Sequence, residues 1–383
     1  MSSTNPYLTA DHIQQLMSQS SGKAIQIHRF KTYPIDNSAS ILVTLTAQQS
    51  ESLIGHFGIE LSGEADGQAF DHKLVLKIKP HGREIADMLA GLAQLSDPML
   101  GEVYGKHHQS TGFYQTHLRE IAVYEQLPHP IQPRIYGLLC NQKTNEYQLL
   151  MDDLTGYKLL NSVMQPEKWQ DVDIHLAVRG MAQWHAFARH KLDLLPQAAW
   201  ADTDKAHYWV QEAGLWQILL DKAIERFPES YPESLRHALR EGLEHIHELA
   251  QDFHQLPHTL IHNDANPRNS CFKPDGSFCL YDWELSCRHV PVYDAIEFLS
   301  FVCTERNFAQ IPDYLAIYRK ALVAEWPFWA NDQAWQQALK LAWLHFGWHR
   351  LGMYMMANAV APYPFLNRVF EAYHAVWNTA IRR

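Results

Sequence analysis

Cysteine is scarce and unpatterned. Cys140, Cys271, Cys279, Cys287 and Cys303 are the five in 383 residues, and no two stand in a CxxC spacing. The sequence therefore offers no basis for a disulfide framework or a structural zinc site, and the usage fits reduced thiols of a cytoplasmic protein. A basic start followed by an apolar run is missing from MSSTNPYLTADHIQQL, so no secretory signal is visible. Long apolar runs are missing too: the most apolar late stretch, 341–361, is broken by His345, His349 and Arg350 and reads as a buried helix, not a membrane span. Positive charge is in deficit. The formal net charge of -10 argues against nucleic acid as a partner and is compatible with a cationic small substrate. Repeats and low-complexity segments do not occur.

What is present is a hydrophobic fraction of 46% in a chain long enough for two lobes with substantial cores. The most informative stretch runs from Leu260 to Glu284, LIHNDANPRNSCFKPDGSFCLYDWE. Ser270–Lys273 and Phe278–Tyr281 read as short strands, with Pro274-Asp275-Gly276-Ser277 as a type I turn of hairpin length. Pairing Lys273 with Phe278 makes Asn269 and Asp282 face each other at the hairpin mouth, with side chains starting roughly 5 Å apart. An amide oxygen and a carboxylate at that separation suit Mg²⁺, which takes oxygen ligands. Asp264, on the loop entering the same mouth, is placed to accept a proton from a hydroxyl attacking a phosphoryl group.

His262-Asn263-Asp264, Asn269 and Asp282-Trp283-Glu284 resemble the catalytic loop and metal-binding motif of the aminoglycoside phosphotransferase and choline kinase-like (ecdysteroid kinase-like) superfamily, distant relatives of the protein kinases. Relatives usually carry Gly between the His and the Asp; here Asn263 stands there, and Asn tolerates left-handed backbone better than most residues.

The rest of the chain can be ordered against that resemblance. Leu8–Ser18 reads as a short helix capped by Thr9 or Asp11. Strand-like sequence from Ile25 is interrupted at 36–40 and resumes over 41–46. In the family this turn covers the nucleotide phosphates; here it lacks the glycines of a protein-kinase loop, so the resemblance implies Ser38 and Ser40 as donors, and an ordinary hairpin turn is the other reading. The glycines of 51–71 predict a loop-rich insertion. Lys73–Pro80 alternates, with Leu74, Leu76 and Ile78 on one face and Val75, Lys77 and Lys79 on the other. Lys77 matches the family's phosphate-contacting strand lysine, with Lys79 as the alternative. Helical sequence follows over Glu84–Leu95 and Phe113–Leu127, and Glu120 matches the helix glutamate that pairs with the lysine; Glu125 is the other candidate. Strands over Ile135–Cys140 and Tyr147–Met151 lead into Met151-Asp152-Asp153, which resembles the hinge whose backbone meets adenine, so Met151 and Asp153 mark the nucleotide's position. His185, on the apolar face of the 173–190 helix, reads as a hydrogen-bonded core histidine, and Asp294 as a support for the catalytic loop. Arg268 lies near enough in sequence to help with phosphate charge, and Glu284 to assist the metal through water. Late aromatics such as Trp335, Trp343, Phe346, Trp348, Tyr354 and Tyr363 either fill a core or wall an acceptor site.

The resemblance implies an α+β, two-lobed protein-kinase-like fold: a small antiparallel-sheet N-lobe over 1–154 that binds nucleotide, and a larger, mainly helical C-lobe over 155–383 with the catalytic loop, metal site and acceptor pocket. It implies transfer of the γ-phosphoryl group of ATP, with Mg²⁺, to a hydroxyl of a small molecule, with no nucleic-acid or membrane partner. The rival readings are a nucleotide-binding pseudokinase scaffold and a nucleotidyl transferase acting on protein. The sequence selects neither the acceptor, nor ATP over GTP, nor an oligomeric state.

Overall fold

The computed structural model describes residues 6–35, 53–203 and 207–382. Ser38, Ser40 and the strand predicted over 41–46 lie outside the described residues. Helix α1 (Ala10–Ser21) begins where the Thr9 side chain accepts the His12 N–H at 3.2 Å and ends at Gly22, whose φ of 68° lets its N–H reach the Ser18 carbonyl. Its buried stripe, Ile13, Leu16 and Met17, lies on one face of an antiparallel five-stranded sheet. The strands are β1 (Ile25–Pro34), β2 (Gly55–Ala65), β3 (Gln68–Ile78), β4 (Ile135–Asn141) and β5 (Glu146–Asp152), in the spatial order β1-β2-β3-β5-β4. Leu74, Leu76 and Ile78 pack with Ile59, Leu61 and Leu150 under α1, while Val75 and Lys77 occupy the opposite face, as the alternation predicts.

The loop expected over 51–71 is a correction: from Gly55 onward this stretch is β2, its turn and the start of β3. Two of its glycines are there for close approach and not for flexibility. Gly58 pairs with Tyr33, and a Cβ at Gly58 would meet the Tyr33 ring at 2.2 Å; one at Gly63 would meet the Gln26 carbonyl oxygen at 2.0 Å, beside a bulge between Ile27 and Arg29. Asp66 and Gly67, with φ of 48° and 78°, form the two-residue left-handed turn between the strands.

Helices α2 (Gly82–Ser96), α3 (Pro98–His107) and α4 (Thr116–Gln126) follow the third strand, and α4 lies beneath the sheet against the 283–285 turn. Beyond residue 153 the chain is mostly helical: α5 (Asp171–Ala188), α6 (Tyr208–Arg226), α7 (Glu233–Glu244), α8 (Ile246–Gln255), α9 (Tyr293–Val302), α10 (Ile311–Glu325), α11 (Asp332–His345), a π-helical turn over Phe346–Leu351, α12 (Gly352–Asn358) and α13 (Leu366–Val376). Trp335, Trp343, Phe346 and Trp348 are all buried here, so most of the late aromatics fill the core; Tyr354 and Tyr363 are half-buried. No helix among the described residues is long and apolar enough to cross a membrane. Of the five thiols, Cys140 alone is exposed.

Two small ribbons carry the central stretch. β6 (Thr259–Ile261) pairs with β9 (Cys287–His289), and β7 (Ser270–Phe272) with β8 (Phe278–Leu280). The expected register of the second ribbon is off by one: Phe272, not Lys273, pairs with Phe278, and Cys271 faces Cys279. The reason is Gly276, whose φ of 81° shortens the loop to Pro274-Asp275-Gly276, a type I turn followed by a left-handed residue. Asn269 therefore lies across from Tyr281, whose N–H donates to the Asn269 carbonyl at 3.0 Å, and not across from Asp282.

Candidate active site

Strand β3 carries Lys77, and Lys79 follows directly after its end at Ile78; both side chains are buried. Lys77 Nζ donates to Glu120 Oε2 on α4 at 2.8 Å and to Asp282 Oδ1 at 2.6 Å; Glu284 Oε2 is 4.0 Å away. Lys79 Nζ donates to Glu284 Oε2 at 2.8 Å and also to Glu120. Both candidate lysines thus share Glu120, and Glu125, the other glutamate considered, is exposed. Two ammonium groups meet three carboxylates, leaving one negative charge in excess.

Burial works against the charge on Lys77, but Asp282, Glu120 and Glu284 outweigh it and hold the ammonium protonated well above its ordinary range. Burial likewise opposes ionisation of Asp282, and the nearby Lys77 and Lys79 reverse that, holding its carboxyl well below the usual carboxylate range. Glu284 moves the other way, raised by burial and by the Asp282 charge. His56, paired with Lys77 across the sheet, is lowered to about 4 by burial and by Lys77, so it adds no positive charge at neutral pH. Asp282 adopts left-handed backbone (φ 68°), which a short polar side chain tolerates better than most.

The second grouping is built on Asp294, at the start of α9. Its buried carboxylate accepts the N–H groups of His262 (2.7 Å) and Asn263 (2.9 Å) and the His185 Nε2 contact (2.9 Å), so one acid fixes the loop that carries Asp264. His185 also meets Tyr318 Oη at 2.7 Å, which makes it the hydrogen-bonded core histidine expected. Asn263 is left-handed (φ 58°), a backbone state that Asn tolerates better than most residues, and its Nδ2 donates to the Leu285 carbonyl at 2.9 Å.

Asp264 is partly exposed and fully engaged. Asn269 Nδ2 donates to its Oδ2 at 2.6 Å, Asn266 Nδ2 to its Oδ1 at 2.9 Å, and Arg350 Nη2 to its Oδ1 at 2.5 Å. Arg350 was not singled out as a site residue. Its signal was available, since a buried apolar stretch interrupted by an arginine needs a buried acid to pair with. It projects from the π-helical turn, a local widening of the helix often found at functional positions. Glu297, also missed, is buried beside this group, accepts the Ala265 N–H at 3.0 Å, and is raised to about 8 by burial, with Arg350 opposing and Asp264 adding. Arg268 donates to Tyr354 Oη at 2.7 Å.

At the expected hinge, Met151 pairs with Val75 and Ile135 inside the sheet. The Asp153 N–H donates to the Lys73 carbonyl at 3.1 Å, while its carboxylate accepts the Thr155 N–H at 2.7 Å and the Tyr33 hydroxyl. The Asp153 side chain is thus used in closing the end of the sheet.

Buried ammonium groups held by carboxylates under a sheet, and an aspartate on a separate loop of a helical body, are the parts that phosphoryl transfer uses. The fold is that of the two-lobed, kinase-like α+β proteins. The chain belongs to the phosphotransferase enzyme family, whose model matches residues 63–331. Among curated proteins none matches the sequence. Similar solved structures include an aminoglycoside phosphotransferase from Alicyclobacillus acidocaldarius (10% identity, 98% of this chain and 94% of that one, TM-score 0.47). Others are an ethanolamine kinase from Plasmodium vivax (11%, 90% and 81%, 0.45) and a choline kinase from Streptococcus pneumoniae (12%, 87% and 98%, 0.36).

Proposed function

We propose that the protein transfers the γ-phosphoryl group of ATP to a hydroxyl of a small molecule, with residues 1–154 binding the nucleotide and 155–383 the acceptor. The observation that carries the reading is the Lys77 ammonium held between Glu120 and Asp282 at 2.8 and 2.6 Å, the arrangement a phosphate-contacting lysine requires. Asp264 is the base: Asn266, Asn269 and Arg350 fix its carboxylate, and it takes the proton of the attacking hydroxyl. Ligand oxygens of Glu120, Asp282 and Glu284 lie within 4.8 Å of one another, so the donor chemistry of this cluster fits a hard divalent cation, while the Asn269 amide is bonded to Asp264. Asn269 and Asp282 would hold Mg²⁺, which supplies neutralisation of the phosphate charge. Lys77 contacts the α- and β-phosphates, and the segment from Met151 to Asp153 positions the adenine.

The test is phosphorus NMR of the protein with MgATP and pooled small-molecule alcohols. The expected result is a new phosphomonoester signal with ADP, lost in Asp264→Ala although that variant still binds MgATP. Nucleotide binding without turnover on any alcohol would favour the scaffold reading; pyrophosphate release with an adenylated protein product would establish nucleotidyl transfer instead.

A further inference from the structure

The two carboxylate oxygens of Asp264 look onto different surroundings. Oδ2 meets Asn269, on the side of the proposed metal. Oδ1 meets Arg350 and Asn266, and beyond Asn266 lies Arg268, on the helical turn Pro267–Asn269. The Asn266 amide joins the last two groups: its Oδ1 accepts Arg268 Nε–H at 3.2 Å and its Nδ2 donates to Asp264 Oδ1 at 2.9 Å. One amide group therefore separates the guanidinium of Arg268 from the proposed base. Tyr354 on α12 completes the arrangement. Its hydroxyl accepts from Arg268 Nη2 at 2.7 Å, and the guanidinium carbons of Arg268 and Arg350 lie 5.8 and 5.6 Å from its ring centre.

Arg268 is half-buried and has no acid of its own. Its bonds go to an amide and a phenol, both neutral, and among the described residues no carboxylate stands within ion-pair reach of it. Its remaining nitrogen, Nη1, bonds to no described residue and is not enclosed by protein, so it reaches solvent.

The charged groups bearing on Tyr354, beside both arginines, are Arg268, Asp264, Arg350 and Glu297. Arg350 is matched to Asp264 at 2.5 Å. Glu297 is pushed up to about 8 by burial and keeps its proton at neutral pH. Asp294 lies deeper, fully buried, and is spent on His185 and two loop N–H groups. Two guanidinium groups thus share one ionised carboxylate, a local excess of positive charge in a chain whose net charge is -10. A half-buried charge without a counter-ion is costly, and an incoming anion offsets that cost. The planar guanidinium, with N–H groups still free, has the geometry that takes the two oxygens of a carboxylate.

Taking Asp264 as the base, as proposed above, we infer that the acceptor is a hydroxy acid, whose carboxylate binds Arg268 on the Oδ1 side of Asp264 while its hydroxyl lies at Asp264. Arg268 then reads the acceptor and not the nucleotide, whose metal belongs to the Oδ2 side.

The test is calorimetric titration of the full-length protein, without nucleotide, with gamma-hydroxybutyrate and para-(hydroxymethyl)benzoate. Each is measured beside its primary amide and beside the alcohol in which an aminomethyl group replaces the carboxylate. At least one acid is expected to bind about tenfold or more tighter than its amide, the scale of a hydrogen bond to a charged group, and its amine more weakly still. Arg268→Met keeps a long side chain and removes the charge, so it should bring that acid to the level of its amide; Arg268→Lys should restore part of the difference. MgATP affinity should be the same in Arg268→Met as in the unaltered protein. The inference is overturned if neither acid exceeds its amide and its amine on the unaltered protein, a result that needs no variant. It is equally overturned if the preference for acid survives in Arg268→Met, or if that variant loses MgATP affinity, which would assign Arg268 to the γ-phosphate. Acid binding is read without nucleotide, so its failure leaves phosphoryl transfer standing, and failure of transfer leaves the acid titrations unchanged.

Discussion

At Asn263 the backbone is left-handed and the side chain donates to the Leu285 carbonyl at 2.9 Å. Asn263→Gly keeps the backbone and loses one hydrogen bond, a cost of about 1 kcal/mol. Asn263→Val adds a β-branched residue at positive φ and should cost about 2–3 kcal/mol, read from urea midpoints at constant slope. Glu297 gives a pH prediction. Its folded carboxyl is raised from an ordinary 4.5 to about 8, chiefly by burial, so the folded protein holds this proton more tightly than the unfolded chain. That contribution to stability is complete below about pH 4.5 and is lost as pH rises through 8. Glu297→Gln should therefore flatten the fall in stability between pH 5 and 8; an unchanged slope would show that Glu297 is not the titrating group.

The short elements make contrasting demands on glycine. At Gly276 a Cβ would meet nothing within 4 Å, so Gly276→Ala pays only for the positive φ, about 1 kcal/mol. Gly58→Ala drives a methyl group into the Tyr33 ring and disturbs its bond to Asp153, so a larger loss is expected, with Tyr33 displaced in a crystal structure of the variant. The two positions also show what a sequence can and cannot say. Helices and strands with a clean period, such as α5 and β3, were legible because one face is apolar. Gly58 and Gly63 misled because glycine looks the same whether it loosens a loop or admits a neighbour's ring. The hairpin register slipped by one because it depends on a single backbone angle, at Gly276. The Asp264 loop and the pairing of a strand lysine with Glu120 were readable through the family resemblance, which left Lys79 beside Lys77, and both lysines meet Glu120. Arg350 was legible only as a buried arginine in need of an acid; that the acid is Asp264, 86 residues away, is encoded by no local pattern.

Across the whole molecule, the lysine–carboxylate cluster joins β3, α4 and the 282–284 segment, so it ties the sheet to the helical body. Lys77→Met strands the Asp282 carboxylate and should cost about 3 kcal/mol, the scale for removing one partner of a buried ion pair. The double variant Lys77→Met with Asp282→Asn should lose clearly less than the two single losses added, and strict additivity in the denaturation cycle would show the pair to be uncoupled.

Cys271 and Cys279 face each other across the β7–β8 ribbon, buried, with the Cys279 thiol pushed well up by burial and by its neighbour. Only Cys140, on the sheet strand β4, is open to solvent. A thiol-reactive dye should thus attach once to the native protein and five times to the unfolded chain. Mass spectrometry of the labelled peptides would then show how often the β7–β8 ribbon opens by itself, as label on Cys271 and Cys279 with Cys287 and Cys303 still unmodified.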